Sequence, residues 1–577
     1  MAGAHADIPD LGSDMDDDEA LRYAIALSLQ EQESHNQPAE QNPPRTSSPN
    51  RDESRSGGPG LGLLALDRKK MEEERLQRLA KRRRSASSDD DVVEVPAPKR
   101  KAPSKPSKSP SLPPFANGTV KRTWARGYPR TPDDIKFEEV LQKDSLMLAV
   151  LSSYQWDDEW IMSKVDLRRT KLLLLAFAAD EAQKTAMRSN APPGIKFCFP
   201  AMNGPGSMHS KLQLLKYPDY LRVVVPTGNL VPYDWGETGV MENMVFLIDL
   251  PRLAKYVDHQ PTTFSTELGR FLEATGVDEN MTNSLTNYDF SRTKHLRFVY
   301  TIPGGHLNES HKRVGYCGLG ASVASLGLAT SDPVQVDLVC ASLGAINYDL
   351  VGAMYNACRG DDGMTEYNSR LRRATRAKAS STAQPFNDHF RIYFPTDETV
   401  AQSRGGRMAA GTICVQAKWW RAPTFPTQLV RDCVNNRDGL LMHSKMIFVR
   451  KIQTRGDRSA ADADAETGTG TEATGADSDP GQSSPGWAYI GSANLSESAW
   501  GRLVKDRATG KPKMSCRNWE CGVVIRVPGA SKAQAQAGGP REDVSDMGIF
   551  KGTIPVPMRF PGRRYRETEE PWFYAQT

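Results

Sequence analysis

The sequence is poor in the features that would place it in several broad classes. Eight cysteines occur among 577 residues, but no two are spaced as Cys-x-x-Cys, and only Cys516 and Cys521 lie close together. That usage fits reduced thiols of an intracellular protein and indicates neither a disulfide framework nor a structural zinc, so neither metal nor cofactor is expected. An excess of charge of one sign is also lacking. With 74 Lys and Arg against 70 Asp and Glu the net charge is only +4, so affinity for a polyanion has to come from local clusters. Long apolar runs are absent: the stretch from Leu172 to Phe177 is far too short to cross a bilayer, and the acidic N-terminus has no apolar h-region. Secretion and membrane contact are therefore not expected.

Residues 1–121 lack apolar periodicity and are rich in Pro, Ser, Arg, Asp and Glu, a composition that cannot bury enough surface to offset its ordering entropy. A disordered arm is expected there. From Arg122 onward Trp, Tyr and Phe appear, and strand-like and helix-like patches interleave, which predicts a mixed α/β core running to the C-terminus. A second low-complexity tract at 454–485 reads as a disordered insertion in a loop between two strands, where added length costs little.

The most informative feature is a repeat. Met208-His209-Ser210-Lys211 recurs as Met442-His443-Ser444-Lys445, and each copy leads through apolar runs to an Asn in a turn, Thr227-Gly228-Asn229 and Gly491-Ser492-Ala493-Asn494. The copies lie 234 residues apart, far too long for a solenoid, which predicts two similar halves, 122–355 and 356–577, packed face to face. From His209 to Asn229 is 20 residues and from His443 to Asn494 is 51, and the excess is about the length of the low-complexity tract. Residues two apart in an extended segment face one side, so each His-x-Lys can aim both side chains at one target. Two imidazoles and two ammonium groups across a cleft suit phosphoryl chemistry. One imidazole attacks phosphorus, the other protonates the leaving oxygen, and the lysines hold the non-bridging oxygens. An imidazole near its ordinary pKa of roughly 6.5 is available in both forms at neutral pH.

These half-sites resemble the phospholipase D superfamily, whose His-x-Lys is followed after four residues by Asp. Here Lys216 and Arg450 stand at that position. Loss of both Asp, with Asn229 and Asn494 downstream, is similar to the His-Lys-Asn variant found in the tyrosyl-DNA phosphodiesterase 1 family. Leu221 to Leu230 with Asp234-Trp235, Gly491 to Gly501, Asn518-Trp519-Glu520-Cys521-Gly522-Val523 and Pro571-Trp572 carry the same resemblance across about 125–577. It implies two phospholipase D-like α-β-α halves about a pseudo-twofold active site, and hydrolysis of 3′-phosphotyrosyl bonds left by stalled topoisomerase I, together with other 3′ DNA adducts. By the same resemblance His209 is the nucleophile and His443 the general acid, while Lys211, Lys445, Asn229 and Asn494 hold the phosphoryl oxygens. Glu520 orients one of the histidines, and a second orienting group is expected near Glu242-Asn243. Ser342 and Ser496, with Ser492 as a weaker candidate, would contact phosphates on the DNA side, and Tyr154 and Trp156 would line the entrance. Gly204 to Ser207 supplies no aromatic where some members stack a base.

Short islands punctuate the arm. Asp16-Asp17-Asp18-Glu19 precedes a helical stripe containing Leu21, Ala24 and Ser28, and residues 16–33 resemble a ubiquitin-interacting motif. Lys81-Arg82-Arg83-Arg84 and Lys99-Arg100-Lys101 read as a bipartite import signal (81–101), which predicts a nuclear location. Val92-Val93-Glu94-Val95 with its acidic flank resembles a SUMO-binding strand. The expected partners are DNA with 3′ adducts, a topoisomerase-derived peptide, ubiquitin and SUMO, with the enzyme acting as a monomer. Two other readings compete: a lipid phosphodiesterase of the same superfamily, and a ubiquitin-reading adaptor with an inactive phosphodiesterase fold.

Overall fold

A computed structural model describes residues 112–255, 257–375, 386–452, 484–529 and 547–574. Two large sheets organise them. The first contains β1 (Thr119–Thr123), β2 (Asp134–Ile135), β3 (Leu148–Ser152), β4 (Lys171–Leu175), β5 (Ile195–Cys198), β6 (Gln213–Lys216), β7 (Tyr220–Pro226) and β8 (Met244–Pro251), in the order β2-β1-β8-β7-β6-β3-β4-β5. The second contains β9 (Leu296–Thr301), β10 (Val334–Val339), β11 (Phe390–Phe394), β12 (Val430–Asp432), β13 (Met446–Lys451), β14 (Gly486–Gly491) and β15 (Glu520–Arg526), in the order β9-β15-β14-β13-β10-β11-β12.

Apart from the extra edge strand β2, the two orders are the same. In each sheet three parallel strands (β3, β4, β5 and β10, β11, β12) meet an antiparallel meander (β6, β7, β8 and β13, β14, β15), and the strand that opens the half (β1 or β9) closes the far edge antiparallel. The duplication seen in the quartets is a duplication of whole halves.

Strand alternation explains how the halves pack. On β7, Leu221, Val223 and Val225 face the core shared with the second sheet, while Val224 faces an outer core of Phe137, Trp160 and Trp235. On β8, Met244, Phe246, Ile248 and Leu250 point inward and Val245 and Leu247 outward. A strand buried on both faces reads as a continuous apolar run, which is what Met244 to Leu250 is but for Asp249. Asp249 is paid off by Arg222, which is fully buried beside it and donates from Nε at 2.7 Å and from Nη2 at 3.0 Å.

Three expectations about boundaries are corrected. The division falls in the connection between Pro251 and Thr262 and not at 355/356, because β9 and β10 belong to the second sheet. Position 355/356 lies inside the helix Tyr348–Cys358, whose Leu350, Val351, Met354 and Tyr355 are core residues. The fold also begins before Arg122: Phe115 donates its backbone N–H to Asp249 at 3.0 Å, and β1 starts at Thr119. At the insertion the fold resumes at Ser484, whose buried hydroxyl donates to Gly486 and Val527, and Pro485 accepts from Lys451. The rest of that tract lies outside the described residues. So do Leu21, Ala24, Ser28, the basic clusters and the SUMO-like segment.

Candidate active site

Each quartet occupies the extended stretch just ahead of a central strand, β6 or β13, and each is tied to the opposite half. His209 donates its backbone N–H to Trp519 O at 3.0 Å, beside a parallel bridge between Met208 and Trp519. His443 donates to Glu242 O at 3.0 Å, where Leu441–Met442 pairs in parallel with Met241–Glu242. The catalytic candidates therefore stand on the seam between the halves, and all four residues of the two His-x-Lys pairs are no more than 5 % exposed.

The side chains continue this symmetry and then break it. His209 Nδ1 meets Glu520 Oε2 at 2.8 Å, which identifies the histidine that Glu520 orients. Glu520 also accepts from Ser492 Oγ and from Asn518 Nδ2 at 3.1 Å. The residue at the corresponding place beside His443 is Asn243, which follows Glu242 as Glu520 follows Trp519. Asn243 accepts from Thr227 Oγ1 at 2.8 Å, as Glu520 accepts from Ser492. It makes no hydrogen bond to His443. The group that does is Asp234, whose Oδ1 and Oδ2 lie 3.0 and 3.1 Å from Nδ1. Asn243 Nδ2 holds Asp234 Oδ1 at 3.0 Å, and the Asn229 backbone N–H donates to Oδ2 at 2.6 Å. Gly228 makes room for this packing, because a Cβ there would stand 2.8 Å from Asn243 Cγ and 3.0 Å from Asp234 Cβ. The second orienting group expected near Glu242-Asn243 is thus corrected to Asp234, with Asn243 as its support. Glu242 itself is turned to Arg437, at 2.6 Å from Nε.

Lys211 Nζ donates to its own His209 carbonyl at 3.0 Å and lies 3.5 Å from His209 Nε2. Lys445 Nζ donates to His443 O at 2.7 Å and Thr227 O at 3.1 Å. Asn494 Oδ1 accepts from the backbone N–H of Ala341 and Ser342, which leaves its amide NH2 as a donor for the cleft. Asn229 is more engaged, with Nδ2 donating to Gln155 Oε1 at 3.2 Å.

Electrostatics follow from burial. It pushes His209 down to about 4 against the pull of Glu520, and His443 down to about 4 against the pull of Asp234. Lys211 is pushed down to about 8 by burial, and Lys445 falls well below the usual lysine range through burial and the repulsion of Lys211. Although burial opposes it, His443 and Lys445 hold Asp234 below the usual carboxylate range, and His209 and Lys211 do the same for Glu520. The expectation that the imidazoles keep their ordinary pKa is therefore corrected, since burial in the seam disfavours their charged forms. Burial thus favours neutral imidazoles and weakens the hold of the lysines on their protons, and an anion placed among them favours the charged forms.

His209, Ser342, Asn494, Ser496 and Glu520 line one cleft, together with Trp419 and Cys414. Ser496 Oγ also caps the helix Glu497–Trp500 by accepting from Ala499 N at 3.1 Å. Ser492 is fully buried and props Glu520, so it is not a phosphate contact. The Tyr154 ring lies 5.3 Å from that of His209, whereas Trp156 packs against the outer core of the first half. Of the residues at the lost Asp position, Arg450 is buried and paired with Asp337, and Lys216 ends β6.

Comparison with known proteins bears on the family and the fold. The family model described as tyrosyl-DNA phosphodiesterase matches residues 119–566, and that of the ubiquitin interaction motif matches residues 16–32. The crystal structure of the yeast tyrosyl-DNA phosphodiesterase aligns with a TM-score of 0.52 at 16% identity, covering 80% of this chain and 100% of that one. A point mutant of the yeast enzyme aligns equally, with 79% of this chain and 100% of that chain covered. At that identity the likeness speaks for the fold alone, while the family match spans most of the chain. On that match, the chain belongs to the tyrosyl-DNA phosphodiesterase family.

Proposed function

We propose that this phosphodiesterase hydrolyses the bond between a DNA 3′ phosphate and a tyrosine, the residue of a stalled topoisomerase I, and acts on other 3′ adducts as well. The observation that carries the reading is the meeting of His209 and His443 on one seam, each with its own buried carboxylate on Nδ1. That hydrogen bond directs the reactive Nε2 away from the carboxylate and stabilises positive charge as the ring gains it.

In the first step His209 Nε2 attacks phosphorus, the P–O bond to tyrosine breaks, and His443 delivers a proton to the phenolate. The product is a phosphohistidine. In the second step His443 takes a proton from water, whose oxygen attacks phosphorus as the P–N bond breaks, leaving DNA with a 3′ phosphate and restoring His209. Lys211, Lys445, Asn229 and the amide of Asn494 hold the non-bridging oxygens. The phosphodiester brings a negative charge, which opposes the effect of burial and raises His443 toward its protonated form.

The ubiquitin interaction motif supports recruitment to ubiquitin-bearing complexes, and the clusters between 81 and 101 support a nuclear location. Contacts with a topoisomerase-derived peptide and with SUMO belong to the same proposal, as does action as a monomer. Incubating the protein with a 3′-phosphotyrosyl oligonucleotide in excess chelator tests the reaction. Release of a 3′-phosphate oligonucleotide is expected. No product under chelator, with product on adding magnesium or zinc, overturns the mechanism.

A further inference from the structure

Trp419 is an aromatic that the mechanism above does not use. It belongs to the short helix Ala417–Trp420, which follows the strand Cys414–Val415, and that strand pairs in parallel with Ser342–Leu343. The pairing carries Trp419 to the wall of the cleft that holds His209, Ser342, Asn494 and Ser496. Its neighbour Trp420 has ring centroids 5.2 Å from Phe425 and 5.6 Å from Tyr565, and both tryptophans are partly buried against the core, but Trp419 is the one on the cleft wall. Trp419 is half-buried, and the Lys418 ammonium stands 5.9 Å from its ring centroid. A ring beside a cation on the wall of a phosphate cleft is the arrangement by which single-stranded nucleic acid is held, with the base stacked and the backbone neutralised.

The direction of the chemistry says which part of the substrate the ring meets. In-line attack by His209 sends the leaving oxygen away from it, toward His443, while the retained nucleotide leaves phosphorus off that axis. The cleft wall that includes Trp419 includes His209 but not His443. The segment before His209, Gly204 to Ser207, supplies no ring for a base. We infer that Trp419 is the stacking platform for the 3′-terminal nucleobase of the retained DNA strand, and that it makes the enzyme favour ends that carry a base. This rests on the proposed DNA 3′-end reaction.

The test compares the wild type, Trp419→Ala and Trp419→Phe on two 3′-phosphotyrosyl oligonucleotides, one ending in thymidine and the other in an abasic deoxyribose analogue. Trp419→Ala should lower kcat/KM on the thymidine end on the order of 10- to 100-fold, chiefly through KM, as expected for losing one stacked base. Trp419→Phe should retain most of the activity, and the abasic end should be cut equally by all three. An equal loss on both ends would mean that the ring meets the sugar, the tyrosine or only its own fold, and would overturn the inference, as would no loss at all. A second measurement does not depend on turnover: a 3′-phosphorylated oligonucleotide with terminal 2-aminopurine should be quenched on binding the wild type and not on binding Trp419→Ala. Equal quenching by both proteins also overturns it. If the wild type binds and quenches but cuts neither substrate, the proposed reaction fails and the stacking site stands.

Discussion

Replacing Asp234 by Asn should separate the two chemical steps. The carboxylate accepts from His443 Nδ1 through both oxygens, at 3.0 and 3.1 Å, and is itself held by the Asn229 N–H and the Asn243 amide. An Asn side chain of the same shape removes the negative charge that favours the imidazolium. It can also present an N–H to Nδ1, which moves the remaining proton to Nε2, the atom that must accept one from water. Loss of general acid–base function is worth about 10²- to 10⁴-fold in turnover, or about 3 to 5 kcal/mol. Folding stability should fall by less, about 1 to 3 kcal/mol, for one altered buried hydrogen-bond set. A phenol near its usual pKa of roughly 10 departs slowly without full protonation, whereas hydrolysis of the phosphohistidine needs its base. Rapid quenching onto a denaturing gel should therefore show a DNA adduct on His209 that accumulates in Asp234→Asn. Glu520→Gln, which weakens the nucleophile's support, should slow the reaction without accumulating adduct. Unchanged turnover in Asp234→Asn, or adduct in Glu520→Gln but not in Asp234→Asn, refutes this division of labour.

His209→Ala should abolish both covalent capture and turnover, while His443→Ala should trap an acid-labile adduct; the reverse pattern on a denaturing gel means the two roles are exchanged. NMR titration of His209 should give a midpoint near 4, and Glu520→Gln should lower it further, since burial depresses the imidazole and Glu520 raises it. An unfolded histidine takes its proton near 6.5, so stability should be insensitive to these two groups above that pH. It should decline as pH falls from about 6.5 to 4, by up to about 3 kcal/mol per histidine; a midpoint near 6.5 in the folded enzyme contradicts the argument. A fragment of residues 1–40 should bind ubiquitin weakly and lose binding on Ala24→Gln or Ser28→Asp, and the absence of ubiquitin-dependent NMR shifts in the wild-type fragment removes the motif from consideration.

The duplicated quartet made the two-half architecture legible, because catalytic residue types recurring with matched flanks require a duplicated fold around them. Glu520 could be recognised, but its histidine could not, since contact between residues 311 apart is decided by how the halves dock. Asp234 was visible only as part of a matching run. Its role does not follow the repeat, because the place equivalent to Glu520 is taken by Asn243, and the charge comes from a turn five residues beyond Asn229. The joint between the halves leaves little trace in the sequence for a related reason: the connection from Pro251 to Thr262 is short and carries no low-complexity signal. Trp419 was hidden by its company, since Trp419 and Trp420 are identical in kind, both pack partly against the core, and only the fold sets Trp419 on the cleft wall.

The bonds from His209 to Trp519 and from His443 to Glu242 give each half custody of the other's reactive group. On the proposed reaction, assembly and catalysis share a single surface, so a change in one disturbs the other. A substitution that only loosens the seam would register first as a failing enzyme, well before the protein melts. A substitution that stiffens the seam should make the reactive geometry more uniform from molecule to molecule. Such a chain has little freedom to change at its centre without a cost in activity.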